Sequence, residues 1–181
     1  MSVKITYFAH GTTVDNEKYI SSGRSDAPLS QLWIQQSIDL QNQINIWDFD
    51  VVFCSDQWRS IDSAKLTFEG NVPIIHDPRL KECNYWKYNG QSSDIVEPMQ
   101  EQNITTRFPE WESYEDVKVR IADFLDDVKK NYDGKHVAIV WHKAPQFAIE
   151  LIVNHKTWED AFDEDWRKTK ARKPGWEYIL E

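Results

Sequence analysis

Two apolar strands that each end at a histidine constrain the fold of this chain more than any other feature. Residues 3–9 run into His10, and residues 136–141 run into His142. Short β-branched runs that stop abruptly are typical of buried strands in a parallel sheet. Ligands of open α/β sheets bind beyond the carboxyl ends of the strands, so both histidines are expected at the reactive edge. A neutral imidazole there is a candidate nucleophile or proton carrier, and the alternative is two unrelated polar residues.

The remaining pattern alternates between strands and helices. Apolar runs predict strands at 3–9, 51–54, 73–76, 136–141 and 176–180, and helical periodicity predicts helices over 31–46, 57–68, 114–132 and 145–153. Residues 79–112 have no clear hydrophobic period and are predicted to form a long excursion from the sheet, an irregular connection of the kind that is often functional. The alternation predicts a three-layer α/β sandwich with a mostly parallel central sheet. No linker or repeat divides the chain, so residues 1–181 are expected to form a single domain.

Composition narrows the function classes. The formal net charge of −9 argues against nucleic-acid binding, which requires a basic face. The two cysteines, Cys54 and Cys83, lack metal-ligand spacing, and together with the absence of a signal peptide they favour a reducing, cytoplasmic setting. No stretch is long and apolar enough to predict a membrane span. Nucleotide, zinc-protease and serine-hydrolase motifs are missing, so neither a metal nor a cofactor is expected.

Two further patterns each allow two interpretations. Residues 159–165 are acidic and residues 167–173 are basic, which favours a solvated helix and loop over a phosphate-attracting rim. The nine tryptophans fall mostly in polar surroundings. Aromatic side chains half-buried under loops are the favoured explanation, and an aromatic-lined pocket mouth is the alternative.

The loop after the first strand has the composition of an anion-binding loop. Gly11 lets the backbone approach a ligand closely, because it has no Cβ. Exposed amides together with the side chains of Thr12, Thr13 and Asn16 would bind an anion.

Two charged residues follow the next predicted strands. Arg59 lies in the first turns of the helix after strand 51–54, where a guanidinium suits a phosphate. Glu82 lies in the loop after strand 73–76, where a carboxyl group would pass a proton to a leaving oxygen. A surface arginine and a solvent-exposed glutamate are the alternatives for these two positions.

Five segments in chain order resemble the motifs of the histidine phosphatase superfamily, the phosphoglycerate-mutase-like proteins. The segments are 10–16 (HGTTVDN), 22–30 (SGRSDAPLS), 50–60 (DVVFCSDQWRS), 79–82 (RLKE) and 137–142 (VAIVWH). One such motif is weak, but five collinear ones at plausible spacings are specific. The resemblance implies a phosphoglycerate-mutase-like fold.

The resemblance also implies a role for each matched residue. His10 would be the nucleophile that forms a phosphohistidine, and Arg59 and Asn16 would hold the phosphoryl oxygens. His142 would lend charge or a hydrogen bond, and Glu82 would be the general acid. Such roles suit phosphoryl transfer, which depends on positioning and charge stabilisation. Further expected substrate or phosphate contacts are Gly11, Thr13, Gly23, Arg24, Tyr85 and Lys143.

The chain departs from the family pattern beside both histidines. The family has arginine directly before the first histidine, where this chain has Ala9, and usually glycine after the second, where this chain has Lys143. Either Lys143 or Arg24 replaces the lost charge, or catalysis is reduced or absent. The expectation is a metal-independent phosphatase of small phosphorylated metabolites. A phosphoglycerate-mutase-like phosphotransferase and an impaired pseudoenzyme remain alternatives, and the oligomeric state stays open.

Overall fold

A mixed α/β architecture is seen in the computed structural model, which describes residues 1–109 and 111–181. The strands are β1 (Val3–Ala9), β2 (Ile20–Ser21), β3 (Val51–Cys54), β4 (Ile74–His76), β5 (Gln91–Ser92), β6 (His136–Trp141) and β7 (Trp176–Leu180). The helices are α1 (Val14–Glu17), α2 (Gln31–Gln43), α3 (Trp58–Phe68), α4 (Ser93–Val96), α5 (Tyr114–Asn131), α6 (Lys143–Asn154), α7 (Trp158–Asp163) and α8 (Trp166–Thr169).

The central sheet has five strands in the order β4-β3-β6-β1-β7. The first four are parallel, and β7 pairs antiparallel to β1 at the edge. In the register of β1 with β6, Ala9 lies beside Trp141, so the residues that follow them emerge side by side. The mostly parallel sheet predicted from the apolar runs is confirmed.

Helices cover both faces of this sheet and create two apolar cores. On one face, Val3, Ile5 and Tyr7 of β1 pack with the apolar sides of α5 and α6. On the other face, Phe8 packs with Ala64 and Phe68 of α3. Alternate side chains of β1 therefore pack into the cores on opposite faces of the sheet, as the two-residue period of a strand requires. The three layers agree with the prediction.

Most predicted elements occur within a few residues of their expected bounds. Strands 3–9, 51–54, 136–141 and 176–180 are observed as predicted. The helix predicted over 31–46 ends at Gln43, because the chain leaves helical geometry at Ile44 and enters a 3₁₀ turn at Ile46–Asp48. The helix predicted over 145–153 is longer and begins at Lys143. The structure also contains α1, α7, α8 and the small β2–β5 sheet, which are too short to show a period in the sequence.

The predicted excursion over 79–112 is built from short elements. It holds β5, α4 and the 3₁₀ turns Pro78–Leu80, Trp86–Tyr88, Glu97–Met99 and Glu101–Asn103, with Glu110 outside the described residues.

Both cysteines are buried free thiols, and burial raises the pKa of Cys54 to about 12. Among the described helices, none has the length and apolar character that crossing a bilayer requires.

Candidate active site

The carboxyl ends of β1, β3 and β6 meet at one edge of the sheet, and a polar residue follows each strand. These residues are His10, Ser55 and His142. The imidazole centroids of His10 and His142 are 5.0 Å apart. The Ser55 Oγ lies 2.7 Å from His142 Nε2. The edge predicted to be reactive therefore brings both histidines together.

His10 is held in one tautomer by the chain itself. Its Nδ1 lies 2.8 Å from the Gly11 carbonyl oxygen, which only accepts, so Nδ1 carries the proton. The Nε2 lone pair is then free. Burial, reinforced by the positive charge of Arg59, lowers the pKa of His10 to about 3. A neutral ring with an unprotonated Nε2 is the form that acts as a nucleophile.

His142 is completely buried at the start of α6. Burial lowers its pKa well below the ordinary value, and the charge of Arg59 adds to this effect. Its Nδ1 has no hydrogen-bond partner among residues 1–109 and 111–181. A buried nitrogen without a partner is costly, and a ligand atom at this position would satisfy it.

Arg59 lies in the first turn of α3 and is 2% exposed. Its guanidinium donates to the carbonyl oxygens of Gly23 (2.7 Å) and Ser25 (2.9 Å). Burial lowers its pKa, while the negative charge of Glu82 opposes this shift. The guanidinium lines the same cavity as His10, which is the position expected for a phosphate contact.

Glu82 is 7% exposed, and backbone N–H groups hold its carboxylate at the start of α6. Oε1 accepts from the amides of Cys83 (2.8 Å) and Ala144 (3.0 Å), and Oε2 accepts from the amide of Lys143 (3.0 Å). Two bonds fill the lone pairs of Oε1, whereas one lone pair of Oε2 has no partner in the described part of the chain. Oε2 is therefore the carboxylate atom with room for a further hydrogen bond.

The loop after His10 is rigid for two reasons. Thr13 and Asn16 form a reciprocal cap at the start of α1, in which the Asn16 Oδ1 accepts from the Thr13 amide at 3.0 Å. Gly11 lies under the indole of Trp33, where an added Cβ would be 1.8 Å from Cδ2. Asn16 lines the cavity, while Gly11 and Thr13 are buried and are not among the residues that line the described cavity.

These residues surround a cavity of about 330 Å³. It is lined by His10, Thr12, Asn16, Gly23, Arg59, Glu82, Tyr85 and Lys143, among others. Gly23 has a φ of +55°, and a Cβ there would lie 2.0 Å from the Asn89 Oδ1, so glycine is required. Burial, together with the charge of Glu82, raises the pKa of Tyr85, so this phenol stays neutral.

The family model of the histidine phosphatase superfamily (branch 1) matches residues 7–174. The chain belongs to this superfamily. An inferred phosphoserine phosphatase of Hydrogenobacter thermophilus is 27% identical over 154 residues, which cover 80% of this chain and 75% of that protein. An inferred phosphoglycerate mutase of Yersinia pestis, GpmB, is 28% identical over 142 residues, which cover 74% of this chain and 66% of that protein, just under two thirds of its length.

Solved structures of the superfamily share the fold. The phosphoserine phosphatase of Entamoeba histolytica, solved with 3-phosphoglyceric acid, has a TM-score of 0.76 at 19% identity. The match covers 89% of this chain and 84% of that one. A structure named mycobacterial hydrolase 1 has a TM-score of 0.79 at 18% identity, with coverage of 90% and 85%. The phosphoglycerate-mutase-like fold expected from the motifs is thereby confirmed.

Arg24 and Lys143, the two residues expected to replace the missing family arginine, are engaged elsewhere. The Arg24 guanidinium binds both carboxylate oxygens of Glu112 at 3.1 Å and the Glu82 carbonyl oxygen at 2.8 Å, and it is not among the residues that line the described cavity. The Lys143 ammonium lines the cavity but pairs with Glu97 (2.8 Å) and Asp165 (3.3 Å).

Among the described residues of the site that were not identified from the sequence, four have polar or charged side chains that bear directly on its chemistry. Ser55 bonds His142, and the Gln57 side chain joins the Glu82 amide (2.8 Å) to the Gly23 carbonyl (3.0 Å). Arg167 and Arg172 also line the cavity. The signal for the two arginines was the basic run 167–173, and their position favours the phosphate-attracting rim over the solvated loop preferred from composition.

Proposed function

We propose that this chain hydrolyses small phosphomonoesters through a phosphohistidine formed on His10. The observation that carries the proposal is the fixed tautomer of His10, whose Nδ1 donates to the Gly11 carbonyl and leaves Nε2 free. A neutral nucleophile in a cationic cavity suits attack on a dianionic phosphoryl group. The cavity of about 330 Å³ is at the small end of ligand sites, which supports a small substrate.

In the first step, Nε2 of His10 attacks phosphorus and the bond from phosphorus to the ester oxygen breaks. The Arg59 guanidinium and the side-chain Nδ2 of Asn16 hold the phosphoryl oxygens. With Ser55 donating to its Nε2, His142 carries its proton on Nδ1 and donates it to the same group. Glu82 enters the cycle as the neutral carboxylic acid, protonated at Oε2, and the leaving alkoxide takes this proton and departs as the alcohol.

In the second step, water attacks the phosphohistidine and the bond from Nε2 to phosphorus breaks. Glu82 Oε2 takes the proton of the attacking water, so both the carboxyl group and the imidazole return to their starting forms. The products are an alcohol and inorganic phosphate. Transfer of the phosphoryl group to a second substrate instead of water would make the protein a mutase, which the similarity to GpmB of Yersinia pestis keeps as the second candidate.

The test is mass spectrometry of a rapidly quenched reaction with p-nitrophenyl phosphate. Acid-labile phosphate is expected on the peptide that contains His10, and His10→Ala should abolish turnover while retaining the fold. His76→Ala, at an exposed histidine in β4, is the matched control. Phosphate on a serine, or full activity of His10→Ala, would contradict the proposal. Phosphohistidine that discharges to an added alcohol faster than to water would favour the mutase.

A further inference from the structure

The cavity lacks a cation where the family motif has one. Ala9 is the last residue of β1, and its methyl group lines the cavity next to His10. Residues two apart on a strand project from the same face. Tyr7 and Ala9 both pack against the core formed with α5 and α6, so a longer side chain at position 9 would extend along the side of the sheet that holds the Tyr7 phenol.

A different arginine already occupies that region. The Arg167 guanidinium donates from Nη2 to the Tyr7 hydroxyl oxygen at 2.9 Å. It donates from Nη1 to Gln146 Oε1 and to Asp165 Oδ1, both at 3.0 Å. Arg167 comes from α8, yet it lines the same cavity as Ala9 and His10. The space that an arginine at position 9 would use is filled from a distant part of the chain.

Arg167 retains donors for a ligand. A guanidinium has five N–H bonds, and the three contacts above use three of them. Within the described part of the chain, its Nε–H and one N–H of Nη2 have no partner. Its side chain is 26% exposed, which is consistent with a group at the wall of an open cavity.

An aromatic stack fixes the position of this guanidinium. Its central carbon lies 4.5 Å from the ring centroid of Trp166. Trp166 stacks on Trp176 with centroids 5.0 Å apart, and Trp176 packs on Tyr7 at 5.2 Å. Trp176 is also the neighbour of Tyr7 in the β1–β7 ladder. Strand β7 therefore anchors α8 so that Arg167 reaches β1.

Arg167 is held in its charged form, and its charge affects the pKa of His10. Although burial opposes ionisation, Tyr7 and Asp165 hold the pKa of Arg167 above its ordinary value. Burial raises the pKa of Tyr7 to about 12, so the phenol remains neutral beside it. After burial and Arg59, the charge of Arg167 contributes to the low pKa of His10.

We propose that Arg167 contacts the transferring phosphoryl group and supplies the positive charge that Ala9 cannot. The inference rests on the proposed function, because it concerns the phosphoryl group bound at His10. Arg24 lies outside the cavity wall and is paired with both carboxylate oxygens of Glu112, and Lys143 is shared between Glu97 and Asp165. Arg167 lines the cavity, and its bond to the Tyr7 hydroxyl places it on the face of β1 from which Ala9 projects. The Arg172 guanidinium lies over Trp33 instead and donates to Gln36.

The test is a charge-relocation experiment with the variants Arg167→Met, Ala9→Arg and the double variant. Orthovanadate binding is measured by calorimetry, and kcat/KM is measured with p-nitrophenyl phosphate. Arg167→Met should weaken vanadate binding at least about tenfold and lower kcat/KM by about 30- to 1,000-fold, the range for a lost charge-stabilising group. Adding Ala9→Arg to Arg167→Met should raise both the vanadate affinity and kcat/KM at least about tenfold, because the new side chain enters the space that Arg167 has left.

Two controls make the experiment specific. Arg107→Met removes an exposed arginine that pairs with Asp116 outside the site and should leave both readouts unchanged. Arg167→Gln retains an N–H donor for Asp165 and removes the charge, so it tests the same contact if Arg167→Met fails to fold. Ala9→Arg alone should not improve on the wild type, because Arg167 already fills the space.

Unchanged vanadate affinity in Arg167→Met or Arg167→Gln would overturn the inference. A loss in a folded Arg167 variant that Ala9→Arg does not rescue would also overturn it, because a purely structural role for Arg167 predicts that result. A wild type that binds vanadate but hydrolyses no phosphomonoester would instead disprove the proposed function. In that case, vanadate binding to the Arg167 variants would still decide whether Arg167 contacts the phosphoryl group.

Discussion

The neutral state of His10 predicts a specific acid sensitivity of the fold. An imidazole has a pKa near 6.5 in the unfolded chain and about 3 in the folded protein. Since the folded pKa is lowered, the unfolded state binds the proton first. The contribution of neutral His10 to the free energy of unfolding is complete above pH 6.5 and is lost as the pH falls from 6.5 towards 3. Between pH 7 and pH 5 this one group should cost about 2 kcal/mol of unfolding free energy.

Removing the imidazole should therefore remove that part of the acid sensitivity. We expect the free energy of unfolding of His10→Gln to fall by about 2 kcal/mol less than that of the wild type between pH 7 and pH 5. Urea titrations followed by far-ultraviolet circular dichroism at both pH values measure the difference. His76→Gln removes an exposed imidazole and serves as the matched control.

Two results would refute the reasoning. Parallel pH dependences of the wild type and His10→Gln would mean that His10 takes up a proton equally in both states. An NMR titration gives an independent answer, because the C2 proton of His10 should not shift between pH 8 and pH 5. A midpoint near the ordinary value would show that burial and Arg59 do not exclude the proton from the ring.

Three further predictions concern the acid, metal dependence and the loop. Glu82→Gln should reduce kcat/KM about tenfold more for alkyl than for aryl phosphates, because good leaving groups need little protonation, and equal losses would indicate a binding role. Prolonged EDTA treatment should leave activity within about twofold, since no group of three or more His, Cys, Asp or Glu side chains in the described residues is arranged to hold a metal, and recovery with added Mg²⁺ would refute this. Gly11→Ala should destabilise the fold by about 1–3 kcal/mol through its clash with Trp33, a loss that Trp33→Leu should partly reverse and that thermal unfolding measures.

The central strands and the strand-end histidines were predictable because their signals are local. An apolar run with an abrupt polar end specifies a buried strand and the position of the residue after it, as for His10 and His142. The start of α6 at Lys143 was predicted two residues late, because Pro145 suggests a helix start and occupies the third helical position instead.

The electrostatic details were not predictable because they depend on contacts between distant segments. Arg24 pairs with Glu112, 88 residues away, and nothing in the local sequence of Arg24 indicates this partner. Arg167 reaches Tyr7 over a separation of 160 residues, because β7 returns antiparallel to the edge of the sheet. Until the pairing of β7 with β1 is known, the basic run 167–173 fits a solvent-exposed segment as well as it fits a binding site.

The contact between Gly11 and Trp33 gives this molecule a built-in optical reporter. The Trp33 indole is 1% exposed, lies against the residue that follows His10, and has the Arg172 guanidinium carbon 6.0 Å from its ring centroid. Indole emission responds to nearby charge and to ring packing. Phosphorylation of His10 should therefore change the emission of Trp33, and subtracting the spectrum of Trp33→Phe would isolate it from the other eight of the nine tryptophans. Stopped-flow fluorescence would then follow the loading and discharge of the nucleophile without a chromogenic substrate.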